Sequence, residues 1–266
     1  MIPFLLLFFS ANSEAGAEAV DSFVCEARLN SQGVMTVKES IEVDLDSSHR
    51  NSIYRMIPKE VNIPGRSHQF EVKVLSVTDG KGHSVGHAKV AHDGSISLKL
   101  DKHVHGRSGY YRYHIKYEVI GVCHFQDKHP TLVWNVVGRD WPMPVNKAEF
   151  VFYPPSGMKL TRTDVQAWKA GPDSKEKAVV RAIGNHAVAT ASNLSAGESL
   201  DIEIDFPAGT VKNRGFLDRA QWLLSEWYLL LALPLSTVVL LYLYRLARVR
   251  MNPPGNDGSD IWEPPS

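Results

Sequence analysis

The sequence predicts a mainly β protein: an exported immunoglobulin-like β-sandwich, one large or two in tandem, followed by one C-terminal transmembrane helix. Three observations predict it. Residues 20–209 alternate apolar and polar side chains with a period of two, broken by Gly, Asp and Asn turns, with no convincing helical period over three turns. Residues 227–244 hold no charge, match the length a bilayer core requires, and carry aromatics at both ends. Residues 2–9 form an apolar run of signal-peptide length, followed by Ala15-Gly16-Ala17 and Ala17-Glu18-Ala19 as cleavage sites.

Taken in order, residues 1–19 read as the signal, although no Lys or Arg precedes its apolar run. Phe23, Cys25, Ala27 and Leu29 then share one strand face. After a turn at residues 30–33, Met35, Val37, Ile41, Val43 and Leu45 share another. Further strands are expected at 70–78, 95–100, 110–120, 131–137, 147–153, 178–183, 186–191 and 199–206. The third of these puts Tyr111, Tyr113, Ile115, Tyr117 and Val119 on one face. If the β part is two units, the boundary falls near 142–146, where Trp141, Pro142 and Pro144 make a stiff hinge.

Residues 210–226 form a juxtamembrane segment, 227–244 the span, and 245–266 a short Pro/Gly/Asp-rich tail. Arginines flank both ends of the span, so loop charge alone does not orient it. The signal does: the N-terminal domain is extracytoplasmic and the C-terminus cytoplasmic. The lipid bilayer is therefore a partner. Lys plus Arg equals Asp plus Glu, and no basic run is interleaved with aromatics, so no nucleic-acid partner is expected.

The two cysteines, Cys25 and Cys123, lie in strand-like segments. In an oxidising compartment they could pair, tying the first strand to a late one. The alternative is two separately buried thiols, and spacing does not decide between them.

Two segments carry a family resemblance. The first is Arg50-Asn51-Ser52-Ile53-Tyr54-Arg55-Met56-Ile57-Pro58, and the second runs from Trp134-Asn135 through Gly138 and Trp141 to Pro144. Their order and spacing resemble the YciQ-like predicted membrane proteins of bacteria, whose exported part is a domain of unknown function (number 2207). The resemblance implies a bacterial inner-membrane location and the same exported architecture, but no activity. Ser52 stands where that pattern has Gly. The chain also stops soon after its first span, like a short or C-terminally truncated member.

Glu39 is the one charge on the apolar face of its strand. A buried carboxylate needs a cation, and Arg55 is the expected partner, pinning the first-motif loop to the sheet. A ligand-binding role for the group is the lesser alternative, with Tyr54 and Arg55 as binding candidates. Trp134, Asn135 and Trp141 could form a carbohydrate or peptide platform. The competing reading, which weighs more, is a corner with Trp134 buried, Asn135 bonding backbone and Gly138 supplying a positive-φ turn. Eleven histidines include His83, His87, His92, His103, His105, His124 and His129. His103-x-His105 could grip a divalent metal with a third imidazole, but no Cys or acidic ligand sits at a familiar spacing and there is no His-Glu-x-x-His helix. Surface loops explain them better than a metal site, so no metal or cofactor is expected. No Gly-x-Ser-x-Gly elbow, phosphate loop or reactive cysteine context is present either.

The expected function is a membrane-anchored extracytoplasmic binding or assembly module of the bacterial envelope, with a protein partner there and no catalysis. The alternatives are a metal-dependent envelope enzyme using the clustered histidines, or an inactive short product of a longer effector.

Overall fold

The computed structural model describes residues 18–45, 52–63, 66–90, 95–101, 109–126, 128–171, 175–213 and 236–245. The expected signal (1–17), the juxtamembrane residues 214–226, the first half of the expected span (227–235) and the tail (246–266) lie outside them.

The chain is mainly β. Its first strands are β1 (Ala19–Leu29), β2 (Val34–Asp44), β3 (Ser52–Ile57), β4 (Glu60–Ile63), β5 (Arg66–Gln69) and β6 (Glu71–Asp79). Next come β7 (His87–Val90), β8 (Ile96–Asp101), β9 (Tyr110–Ile120), β10 (Cys123–Gln126), β11 (His129–Asn135) and β12 (Val145–Tyr153). The set closes with β13 (Val165–Ala170), β14 (Lys175–Lys177), β15 (Val179–Ile183), β16 (His186–Leu194) and β17 (Ser199–Asp205).

Seven strands form one sheet in the order β15-β16-β12-β1-β2-β9-β6, and five form a second in the order β10-β11-β17-β13-β14. A three-stranded sheet, β3-β8-β7, and the β4-β5 hairpin complete the unit. The pairings are antiparallel except that β1 runs parallel to β12. Each of the two large sheets mixes strands from before and after 142–146: β1, β2, β6 and β9 share one with β12, β15 and β16, and β10 and β11 share the other with β13, β14 and β17.

The period-two patterns decide which faces turn inward. Phe23, Cys25 and Ala27 from β1, Met35, Val37 and Ile41 from β2, and Ile115, Tyr117 and Val119 from β9 are all buried. They join Leu132 and Trp134 of β11 and Ile202 and Ile204 of β17 in one core. At roughly 25 cal/mol per Å² of apolar surface removed from water, this core is the main term opposing chain entropy.

One expectation changes here, and one open alternative takes a form. The first motif is not a loop: Ser52–Ile57 is β3, paired with β8, with Ile53, Arg55 and Ile57 inward and Tyr54 outward. Of the two readings open for the cysteines, Cys25 and Cys123 stand here as separately buried free thiols. They lie in different sheets. Cys25 has Glu39 and Phe150 as cross-strand neighbours, whereas Cys123 opens β10 opposite Leu132. Burial, reinforced by Glu39, pushes the Cys25 thiol well up, and burial pushes Cys123 up to about 12. Both behave as small apolar side chains.

A second unit contains residues 236–245, which are helical. Val238 to Tyr244 are exposed along it. Among the described residues no helix is long and apolar enough to cross a membrane.

Candidate functional site

The alternation of β2 turns Glu39 inward with Val37 and Ile41, and the alternation of β3 turns Arg55 inward between Ile53 and Ile57. The two side chains meet in a two-point contact. Arg55 Nε donates to Glu39 Oε2 at 2.9 Å and Nη2 donates to Oε1 at 2.8 Å. Both are 1 % exposed, so each charge depends on the other.

The second motif closes around the same guanidinium. Nη1 donates to Val137 O at 2.9 Å and to Met56 O at 2.7 Å, and Nη2 donates to Val136 O at 2.9 Å. Arginine has five N–H donors, and all five are used. Tyr117 of β9 donates its hydroxyl to Glu39 Oε1 at 2.7 Å. Burial would lower the Arg55 pKa, but the charge and hydrogen bonds of Glu39 outweigh it and raise the value. Burial, then Glu39, pushes the Tyr117 phenol well up, so it stays a donor.

Gly138 is what lets the second motif approach so closely. Its φ is +87°, and a Cβ there would lie 2.8 Å from Arg55 Nη1. Aromatic rings wall the cluster. The Arg55 guanidinium carbon sits 5.2 Å from the centre of the Phe23 ring, and Phe23 meets Trp141 edge-on at 6.2 Å. Trp141 donates its indole N–H to Val137 O at 2.8 Å, holding the carbonyl that Arg55 also uses.

The aromatic platform is therefore not present at the surface. Trp134 and Trp141 are 1 % and 3 % exposed and pack into the core, Trp134 against Phe70 and Tyr117. Apolar area drives both indoles inward because inner strand faces need large side chains. Asn135 is half-buried, and its Oδ1 has no hydrogen-bond partner, so the expected bond to backbone is not made through that atom. Tyr54 is 51 % exposed on the other side of β3 from Arg55. The binding set Tyr54, Arg55, Trp134, Asn135 and Trp141 does not converge on a common surface.

Among the described residues the histidines do not converge either. His83 pairs with Asp79, and His124 lies edge-on to His68 with ring centres 6.0 Å apart. His92, His103 and His105 lie outside the described residues, as does the side chain of His87. Among the described residues no group of three or more His, Cys, Asp or Glu side chains could hold a metal ion.

A cleft of about 450 Å³ lies elsewhere, where β14 runs into β15 beside β1, β12 and β16. Lys147, Glu149, Glu176, Lys177, Thr190 and Ser192 line it, with Lys169 at one end. Nothing in the sequence singles these residues out. They read as ordinary polar positions on alternating strands, and only the sheet order brings them together. Tyr117 was half legible: its inward face follows from alternation, whereas its bond to Glu39 needs the register of β2 against β9.

Comparison with known proteins places the chain in a family. The family described as "Predicted membrane protein (DUF2207) N-terminal domain" matches residues 19–206. "Uncharacterized protein YciQ" of Escherichia coli (strain K12) is 28 % identical over 149 residues, covering 54 % of this chain and 24 % of that protein. The chain thus matches about a quarter of the length of this relative. Among solved structures, a putative protease from Parabacteroides distasonis covers 71 % of this chain and 40 % of its own at 12 % identity and a TM-score of 0.39. An M1 zinc metallopeptidase from Deinococcus radiodurans covers 70 % and 42 % at 8 % identity and a TM-score of 0.35. Likenesses this low carry no argument about activity. The family match spans every strand from β1 to β17 and both segments that meet at Arg55, and the chain belongs to the DUF2207 family of predicted membrane proteins.

Proposed function

We propose that this protein is a membrane-anchored binding or assembly module of the bacterial cell envelope. Its β part, an immunoglobulin-like sandwich, stands outside the cytoplasmic membrane on a single span at 227–244, with the C-terminus in the cytoplasm. The observation that carries the reading is the closure of both signature segments around Arg55 inside the core. Polar groups spent on one another in this way make a rigid frame, not a reagent, and leave recognition to the surface. The family's description supports the membrane location. The exposed apolar run Val238 to Tyr244 suits contact with lipid.

Reporter fusions test the topology. A reporter active only after export, joined after Lys212, is expected to be active, and a cytoplasm-only fluorescent reporter joined after Arg250 is expected to glow. The opposite pattern, or recovery of the chain in the soluble fraction, would overturn the anchor and its orientation.

A further inference from the structure

We propose that the cleft between β12 and the β14–β15 corner binds a short peptide with both ends free. The terminal carboxylate is held by lysine and the terminal ammonium by glutamate. This deepens the reading of the domain as a binding module, on which it rests, and is independent of the membrane orientation.

The volume, about 450 Å³, falls within the range of small-ligand sites. Its charges are the stronger argument. Lys147 and Glu149 stand at alternate positions of β12 on one face, about 7 Å apart by the rise of a strand. Glu176 and Lys177 arrive from β14, across the cleft. All four are exposed, and none of their side chains has an ion pair or hydrogen bond within the described residues.

Sheets ordinarily set such charges opposite their complements. Here Lys147 faces Ser192 on β16, and Glu149 faces Thr190. These two charges are left available, whereas Glu176 stands opposite Lys169, which is paired with Glu198 instead. The two hydroxyls beside Lys147 and Glu149 can donate to and accept from a backbone amide. Lys169 is different: it is bound to Glu198 at 3.0 Å and to Asn193 O at 2.8 Å, so it shapes the cleft and does not recognise a ligand.

Lys147 and Glu149 leave the strand at positions about 7 Å apart, and their long side chains can splay wider, which suits a zwitterion of that span or slightly more. An extended chain advances about 3.3–3.6 Å per residue, which makes the ligand a di- or tripeptide. A simple anion would meet Glu149 and Glu176, and a simple cation would meet the lysines. A phosphate-rich or nucleic-acid ligand is disfavoured for the same reason.

Calorimetric titration of the full-length chain in detergent micelles tests this, with trialanine, N-acetyl-trialanine and trialanine amide as probes. Trialanine is expected to bind, and each cap to weaken binding by about tenfold or more, as loss of one charged contact implies. Lys147→Gln should remove the sensitivity to the amide cap, and Glu149→Gln the sensitivity to the acetyl cap. Both positions are exposed, so the melting midpoint should stay unchanged. No binding of trialanine up to about 10 mM, or equal binding of free and capped peptides by the unsubstituted chain, would overturn the proposal. Neither result would touch the fusion-reporter pattern, so the two readings fail separately.

Discussion

At Arg55 every N–H finds an acceptor within the core, whereas Lys147, Glu149, Glu176 and Lys177 keep their charges in water around a cleft. The first arrangement is closed: Glu39, Tyr117 and three carbonyls leave no donor for a ligand. The second is open, with opposite charges held apart by strand geometry and unneutralised. The segments that mark the family serve the closed arrangement, and the open one has no mark at all. The segments that carry the family resemblance report what the fold requires, and on the proposed reading recognition falls to positions that look ordinary.

The largest expected effect comes from breaking the closed side. Arg55→Ala leaves Glu39 buried and unpaired, and should cost about 3–5 kcal/mol in urea unfolding. Replacing Glu39 and Arg55 together with Met should cost far less, since no charge is stranded. A double variant as unstable as Arg55→Ala would mean that the arginine's bonds to Val136 and Val137, and not the ion pair, hold the second motif. Tyr117→Phe comes next. It removes one hydrogen bond to a buried carboxylate, a loss of about 1.5–3 kcal/mol.

Glu203, on β17, gives the smallest effect and an intermediate case between the two arrangements. Burial, then the nearby Asp205 charge, raises its pKa. A carboxyl with a raised folded-state pKa binds its proton more tightly in the folded chain than in the unfolded one. Its stabilising share is full below the unfolded value, about 4.3, and is lost as pH rises through the folded value. Glu203→Gln should therefore melt slightly higher than the unsubstituted chain at pH 7, by less than about 0.5 kcal/mol, and equally near pH 4. A lower midpoint at pH 7 would show that the charge is compensated by Lys175 after all.

Much of the core could be read from alternation, because an inner face needs an apolar side chain at every second position. Glu39 stood out as the one break in such a pattern, and a buried carboxylate demands a cation. The strand character of Ser52–Ile57 was hidden because Arg55 occupies an inward position, where alternation calls for an apolar residue. The short strands β4, β5, β7, β10 and β14 were missed because three or four residues carry too little periodicity. Trp134 and Trp141 show the converse limit. An aromatic suits a binding platform and a core equally well, and only the sheet order decided between them. The cleft had no signal, since its lining is joined by the contact of β12 with β16 and the corner at β14.

The parallel pairing of β1 with β12 bears on how the chain is made. β1 is the first of the described strands to be made, yet it lies inside its sheet, with β2 on one side and β12 on the other. Val20 waits for Val145, and Phe23 waits for Ala148, before that side can be hydrogen-bonded. The β2 hairpin can form early, but its inner neighbour edge stays bare until most of the domain has been synthesised. Such late, sequence-distant closure slows folding and keeps the early chain open. A sheet that closes only after β12 and β16 have been made leaves the earlier strands threadable until then, which would suit the proposed passage across a membrane.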